Sequence, residues 1–148
     1  MAPGDYDIWL RWWPSVREGT LSLLFDVGVG SGLPLDPLTP AGALLAAPFD
    51  FRDLQRSPKG SDGRLAFMHL RNTQKRIDVI VEREDVLWIV ELRFAAQASA
   101  IGRLKMYADL WARDPIIDKS VVLYLVTDRA DPDVKDVAEN MGMVYIVT

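Results

Sequence analysis

The pattern of apolar and polar positions is clearest in the middle of the second half of the chain. Residues 77–83 form a β-branched, apolar run interrupted by polar residues, which we interpret as the period-two pattern of a strand. Glu84 and Asp85 follow, and residues 86–94 are then almost entirely apolar, aromatic or β-branched. Two such runs separated by a short polar turn favour a β-hairpin. The sequence therefore predicts two antiparallel strands here.

The pattern changes to helical spacing after this hairpin. Apolar residues recur at three- and four-residue intervals over residues 95–113, which predicts an amphipathic helix that ends before Pro115. The continuous apolar run at residues 120–127 is typical of a central strand. Asp131 and Pro132 form a cap and first turn for a short helix. We expect Gly142 to end that helix before a last strand at residues 143–147.

The first half is less regular. We expect a short helix at residues 6–13, which residues 15–25 could continue. Residues 26–63 are rich in glycine and proline, which predicts a long loop with at most a helical turn at residues 41–47. Residues 65–70 are interpreted as a strand. The order from residue 65 onward is then β-β-β-α-β-α-β.

This order predicts an α/β fold with a mixed central sheet flanked by helices. A chain of 148 residues is long enough for one domain with its own core. We expect a single domain, in which residues 64–148 form the α/β core and residues 1–63 form a helical and loop extension.

Composition excludes several kinds of site. There is no cysteine, which rules out disulfides, thiolate metal sites and cysteine nucleophiles. His69 is the only histidine, so a multi-histidine metal site is also excluded, and a lone histidine is more often structural. No apolar window is long enough to predict a membrane span, and the first residues lack the pattern of a signal peptide. We therefore expect no membrane partner and synthesis in the cytoplasm.

The charge is unevenly distributed. The formal net charge is −4, which argues against a general nucleic-acid coat protein. The charged residues of segment 52–76 are nevertheless mostly basic, whereas those of segment 107–148 are mostly acidic. The basic segment either contacts phosphate or consists of solvated loop charges, and the sequence leaves both interpretations open.

The predicted hairpin brings together a group of charged side chains. Residues two apart on a strand share a face, so Glu91 and Arg93 project together. Asp78 lies on the neighbouring predicted strand and can face them if the register allows. Two carboxylates beside a cation can hold a hard divalent ion and place a charge near a phosphate. The alternative is that Asp78 and Glu91 simply form salt bridges with nearby arginines.

The arrangement of Asp78 followed by Glu91-Leu92-Arg93 and a helix resembles the PD-(D/E)XK nuclease superfamily. The resemblance covers about residues 65–148 and is closest to the RecB-like and archaeal Holliday-junction-resolvase-like branches. It implies Mg²⁺ as the cofactor, with Asp78, Glu91 and the Leu92 carbonyl as ligands and Arg93 on the scissile phosphate. Glu18 is the candidate for the extra acidic residue that the first helix of such nucleases often carries.

The chain departs from the family pattern at two positions. The family lysine is replaced by Arg93, and the glutamine of a Gln-x-x-x-Tyr motif by Arg103, with Tyr107 in the tyrosine position. We assign Arg76, Arg103 and Tyr107 to phosphate or DNA contact. A guanidinium attracts phosphate but is permanently charged, so it is a poor acid or base. We therefore expect weak or no Mg²⁺- or Mn²⁺-dependent DNA cleavage.

Two main functions follow from the resemblance. In the first, the chain is a non-enzymatic or weakly active nuclease-fold protein that acts as one copy in an assembly, such as the head-completion or head–tail junction proteins of tailed phages. The loop at residues 26–63 and Trp9, Trp12 and Trp13 would then contact partner proteins in a virion. The same tryptophans could instead fill the chain's own core.

The second function is a Mg²⁺-dependent endonuclease or an enzyme that processes DNA junctions, with DNA as its partner. A ligand-binding α/β domain is a third alternative. It is less favoured because no nucleotide-binding fingerprint follows any predicted strand.

Overall fold

The computed structural model describes residues 3–46 and 60–148. The chain forms two compact units, and each is described separately below. The first, which we call the sheet unit, consists of Met1–Val27 and Arg76–Thr148. The second, which we call the inserted unit, is Gly28–Lys75. The division differs from the predicted boundary at residue 63, because the first helix and most of the first strand belong with the sheet.

The helices and strands alternate through most of the chain. In order they are α1 (Pro3–Val16), β1 (Ser22–Val29), α2 (Pro40–Ala46), α3 (Gly60–Thr73), β2 (Lys75–Glu82), β3 (Val86–Ala95), α4 (Ala98–Arg113), β4 (Ser120–Arg129), α5 (Pro132–Asn140) and β5 (Val144–Val147). None of the described helices is both long and apolar enough to cross a bilayer.

The five strands form one mixed sheet in the order β1-β2-β3-β4-β5. The predicted hairpin is confirmed, since β2 and β3 are antiparallel with Val79 opposite Val90. β3 pairs with β4 in parallel, and β4 pairs with β5 in parallel. Parallel neighbours need a crossover connection, which α4 and α5 supply. The α/β class with helices flanking a mixed sheet is therefore confirmed.

α1 covers one face of the sheet with its aromatic stripe. Trp9 and Trp12 are 3% and 5% exposed and lie edge to face, with ring centroids 5.8 Å apart. Both side chains fill the chain's own core, which is the alternative that the sequence left open to a partner contact. Trp13 is partly buried and stacks on Trp9. The buried residues of this core are Ile8, Trp9, Trp12, Val79, Val81, Val90, Leu92 and Val126.

α4 packs against β3 and β4. Because side chains alternate along a strand, Ile80 and Ile89 face away from the α1 core, on the side that α4 covers. The predicted apolar stripe of α4 is largely confirmed. Its buried residues are Ala100, Ile101, Leu104, Tyr107 and Trp111.

The segment after α1 is not the predicted continuation of a helix. Gly19 adopts a φ of 73°, which ends the helical geometry, and β1 begins three residues later. The backbone N–H of Leu21 donates to the Glu82 carbonyl at 2.9 Å, at the end of β2. The first of the three consecutive strands in the sheet is therefore β1.

The predicted strand at residues 65–70 is wrong, because these residues lie within α3 of the inserted unit. Gly63, Ala66 and Leu70 are buried at spacings of three and four, which is the helical period. α2 packs against α3 and matches the predicted helical turn. His69 has a structural contact, since its Nε2 lies 2.9 Å from the Leu33 carbonyl oxygen.

Candidate functional site

Asp78 and Glu91 lie on adjacent antiparallel strands of the sheet unit. The β2–β3 register, continued by one residue beyond the Val79–Val90 pair, places them opposite each other. Asp78 is 6% exposed and Glu91 is fully buried. The Asp78 Oδ2 accepts a hydrogen bond of 3.0 Å from the backbone N–H of Leu92. The hairpin thus buries two carboxylates side by side in a largely apolar sheet.

Two arginines approach the Glu91 carboxylate from different elements. Arg93, two residues along β3, donates from Nη2 to Glu91 Oε1. Arg103, in the second turn of α4, donates from Nη1 to the same oxygen at 3.4 Å. The other oxygen, Glu91 Oε2, is buried and has no hydrogen-bond partner among the described residues. One oxygen is therefore shared by two guanidinium groups, while the second has an unused capacity to accept.

Asp5 is a member of this cluster that the sequence interpretation missed. It lies in the first turn of α1, is 5% exposed, and its Oδ2 is 3.5 Å from Arg93 Nη1. Helical spacing could have found it, since it shares the buried stripe of Ile8, Trp9 and Trp12. The predicted acid, Glu18, lies beyond the end of α1 and is exposed.

Burial dominates the electrostatics of the two central carboxylates. It raises the pKa of Glu91 to about 7, with a further increase from the neighbouring Asp78 carboxylate and opposition from Arg93 and Arg103. Burial also raises the pKa of Asp78, against the hydrogen bond from Leu92 and the charge of Arg93. The positive charges of the arginines offset only part of the cost of burying the charged carboxylates.

Tyr107 lies on the buried side of α4, one turn after Arg103. It is 3% exposed, and burial together with the charge of Glu91 raises its pKa to about 12. The Tyr107 hydroxyl therefore stays protonated at all ordinary pH values. The predicted residues Asp78, Glu91, Arg93, Arg103 and Tyr107 are thus brought together in the sheet unit.

Arg76 has a different environment. Its Nε lies 2.6 Å from Asp26 Oδ1 and its Nη2 lies 2.6 Å from Asp26 Oδ2, in a bidentate ion pair between β2 and β1. Asp26 itself has a φ of 54°, a backbone conformation that residues other than glycine seldom adopt. The Arg76 guanidinium is therefore paired with this strained residue of β1.

The donor set fits a hard divalent ion that keeps most of its water. Within residues 3–46 and 60–148, no group of three or more acidic or histidine side chains is arranged to hold a metal. Mg²⁺, however, is commonly bound through only one or two protein carboxylates plus water and substrate phosphate. Asp78 and Glu91 supply two, and the unpartnered Glu91 Oε2 is an oxygen of the kind such an ion requires.

No family model, curated protein or solved structure matches this chain. The resemblance to the nuclease superfamily therefore depends on the pattern of Asp78, Glu91 and Arg93 and on the elements that carry them.

Proposed function

We propose that this chain is a metal-dependent nuclease of slow turnover, in which Asp78, Glu91 and Arg93 act on a DNA phosphodiester. The observation that carries the proposal is the buried cluster itself. Burying carboxylates next to each other is costly unless every oxygen is paired, and Glu91 Oε2 is not. Strongly shifted pKa values in such clusters are more frequent at functional sites than elsewhere.

The order of elements in the sheet unit also supports the proposal. Three consecutive strands are followed by a helix and a further strand, and the carboxylates lie on the second and third strands. This is the order of the nuclease superfamily that the sequence resembles. The inserted unit separates β1 from β2 in the chain without changing their places in the sheet.

Asp78, Glu91 and the Leu92 carbonyl would hold Mg²⁺, which when bound polarises a phosphate oxygen and makes water a better nucleophile. The chain's own residues then have separate roles. Arg93 can transfer its guanidinium from Glu91 Oε1 to a phosphate oxygen, because both acceptors are anionic. It cannot take a proton from water, so we expect turnover to be slow. Tyr107, with its raised pKa, keeps its proton and can donate a hydrogen bond.

A cleavage assay with Mn²⁺ or Mg²⁺ tests the proposal. We expect slow cleavage by the wild type, its loss in Asp78→Asn and Glu91→Gln, and a gain of roughly 100-fold in Arg93→Lys, which restores a group that can exchange a proton. Asp109→Asn and Glu84→Gln are matched controls, because both alter exposed acids nearby in the chain. Cleavage that persists in Asp78→Asn would contradict the proposal. So would the absence of cleavage in both the wild type and Arg93→Lys.

A second candidate is a non-catalytic component of an assembly, such as a tailed-phage virion, that is oligomeric in that context. The ion pairs favour it, because Arg93 and Arg103 already occupy Glu91 Oε1 without any ligand. The burial of Trp9 and Trp12 removes two of its predicted partner contacts. An inactive Arg93→Lys variant that still folds would favour this second candidate over the nuclease.

A further inference from the structure

The inserted unit differs in charge from the rest of the chain. Its sequence, residues 28–75, contains six Lys or Arg residues and four Asp residues, whereas the whole chain has 17 basic and 21 acidic residues. The remainder is therefore strongly acidic, and the excess positive charge is concentrated in this unit. Such a separation points to a polyanionic partner for the inserted unit.

Two of the described cations of this unit, Arg64 and Arg71, lie on one side of α3, and the third, Lys75, is the first residue of β2. Arg64, Met68 and Arg71 follow each other at spacings of four and three, so they form a stripe along the helix. The buried residues Gly63, Ala66 and Leu70 occupy the opposite side of α3. The stripe therefore faces away from the packed side of the helix within this unit.

The stripe combines long cations with two exposed apolar side chains. Leu65 is 54% exposed and Met68 is 58% exposed. Asp62, the only acid on α3, lies about 120° around the helix from Met68, outside the stripe. We define the basic stripe as the exposed residues Arg64, Leu65, Met68, Arg71 and Asn72 of α3 together with Lys75, the first residue of β2.

We propose that the basic stripe of α3 binds the sugar–phosphate backbone of nucleic acid. Seven residues separate Arg64 from Arg71, which is about 10 Å along the helix axis. That length covers about three phosphates of one strand. Guanidinium groups bind phosphate oxygens in pairs, and Asn72 adds a neutral donor. Leu65 and Met68 suit the apolar faces of the sugars between the phosphates.

A backbone contact fits the stripe better than an acidic protein does. Stable protein interfaces need a continuous apolar centre that excludes water. The stripe offers two apolar side chains that are flanked by charges, which is too small a centre for such an interface. Phosphate recognition depends instead on cations at intervals, which is what the stripe provides.

Binding by the stripe is separate from cleavage by the Asp78–Glu91 cluster. It needs no divalent ion and can be measured in EDTA, where no metal-dependent cleavage occurs. A failure of the nuclease proposal would leave the binding result unchanged. A failure of the stripe to bind would likewise leave the cleavage test intact.

The test is fluorescence anisotropy of a labelled DNA duplex with the full chain in EDTA, over a range of salt concentrations. We compare wild type with the triple variant Arg64→Ala, Arg71→Ala, Lys75→Ala. The matched control is Arg17→Ala, Lys105→Ala, Arg113→Ala, which removes the same charge from exposed positions of the sheet unit. Circular dichroism and thermal unfolding establish that each variant is folded.

We expect the stripe variant to lose roughly tenfold or more in affinity. The slope of log K against the logarithm of the salt concentration should become smaller in magnitude by about 2.7, the value for three phosphate contacts. A slope of that size corresponds to a change of about 40-fold in affinity between 50 and 200 mM salt. The control should keep the wild-type slope. Equal losses in both variants, or an unchanged stripe variant, would overturn the proposal. Preferential binding of a polyglutamate peptide would also overturn it and assign the stripe to an acidic protein.

Discussion

The β2–β3 hairpin carries two glutamates, Glu82 and Glu91, whose pKa values are shifted in opposite directions. Glu82 accepts from Lys119 Nζ at 2.8 Å and from Ser22 Oγ at 2.6 Å, so each carboxylate oxygen has its own donor. These hydrogen bonds lower the pKa of Glu82. Burial raises the pKa of Glu91 to about 7, and one of its oxygens has no partner.

The comparison shows that two glutamates on one sheet can have opposite effects on folding, because burial outweighs the ion pairs at Glu91 and does not at Glu82. Glu82 is charged and fully paired near the surface, so its contacts stabilise the fold. Glu91 is in the interior beside Asp78, where two arginines compete for one oxygen. A site that lowers stability and is still built from several elements is what a functional role predicts.

Of the substitutions proposed, Arg93→Ala should lower the free energy of unfolding most. Arg93→Ala leaves the buried Asp5 and Glu91 without their shared cation, so we expect a loss of about 3–5 kcal/mol in the free energy of unfolding at pH 8. Urea denaturation measures it. The control is Arg113→Ala, an exposed arginine. A loss no greater than in the control would show that Arg93 is not holding the cluster together.

The pH dependence of stability should separate the two glutamates. Folded Glu91 keeps its proton up to a pKa of about 7, while the unfolded chain releases it near 4.5. The free energy of unfolding should therefore fall as pH rises from about 4.5 to about 7, by about 3 kcal/mol in EDTA. Glu91→Gln should make this fall smaller, and what remains should come from Asp78, whose pKa is also raised. A variant with the wild-type slope across that window would contradict the assignment.

The Asp26–Arg76 pair differs from both glutamate sites, because it combines an ion pair with backbone strain. Asp26→Gly and Asp26→Ala both lose the side-chain contacts with Arg76, but glycine tolerates the φ of 54°. We expect Asp26→Ala to be less stable than Asp26→Gly by about 1 kcal/mol. Thermal unfolding of the two variants compares them directly, and equal stability would mean that the backbone at residue 26 relaxes.

The smallest effect is expected at the Glu82 end. The pKa of Glu82 is lowered in the folded chain, so its contribution is present above the ordinary value of 4.5 and is lost as pH falls through the folded pKa. Glu82→Gln should lower stability at pH 7 by less than Arg93→Ala does, and this loss should become smaller as the pH falls toward about 3. Unfolding curves at the two pH values test this, and an equal loss at both would indicate a packing effect.

Much of the sheet unit could be predicted from sequence because its strands are strongly patterned. The hairpin, α4 and β4 follow from apolar runs and helical spacing, and α5 from the Asp131 cap, which accepts from the N–H groups of Asp133 and Val134. The same patterns placed Asp78, Glu91 and Arg93 on one hairpin.

The remaining features depend on contacts that are distant in sequence. The apolar residues of segment 65–70 suit either a strand or a helix. The segment is helical because its apolar residues pack against α2 as part of α3. Asp5 joins the cluster only because α1 crosses the sheet near Arg93. The state of Glu91 depends on Arg103 and Asp78 together, which no local pattern encodes.

The central claim is that Asp78 and Glu91 form a site for a divalent ion. Thermal unfolding of the full chain at pH 8, with and without Mg²⁺ or Mn²⁺, tests it most directly. A concentration of ten times Kd should stabilise the wild type by about 1.4 kcal/mol. We predict this stabilisation in wild type and in the exposed control Glu84→Gln, and its absence in Glu91→Gln. No stabilisation of the wild type, or an equal effect in Glu91→Gln, would contradict the account.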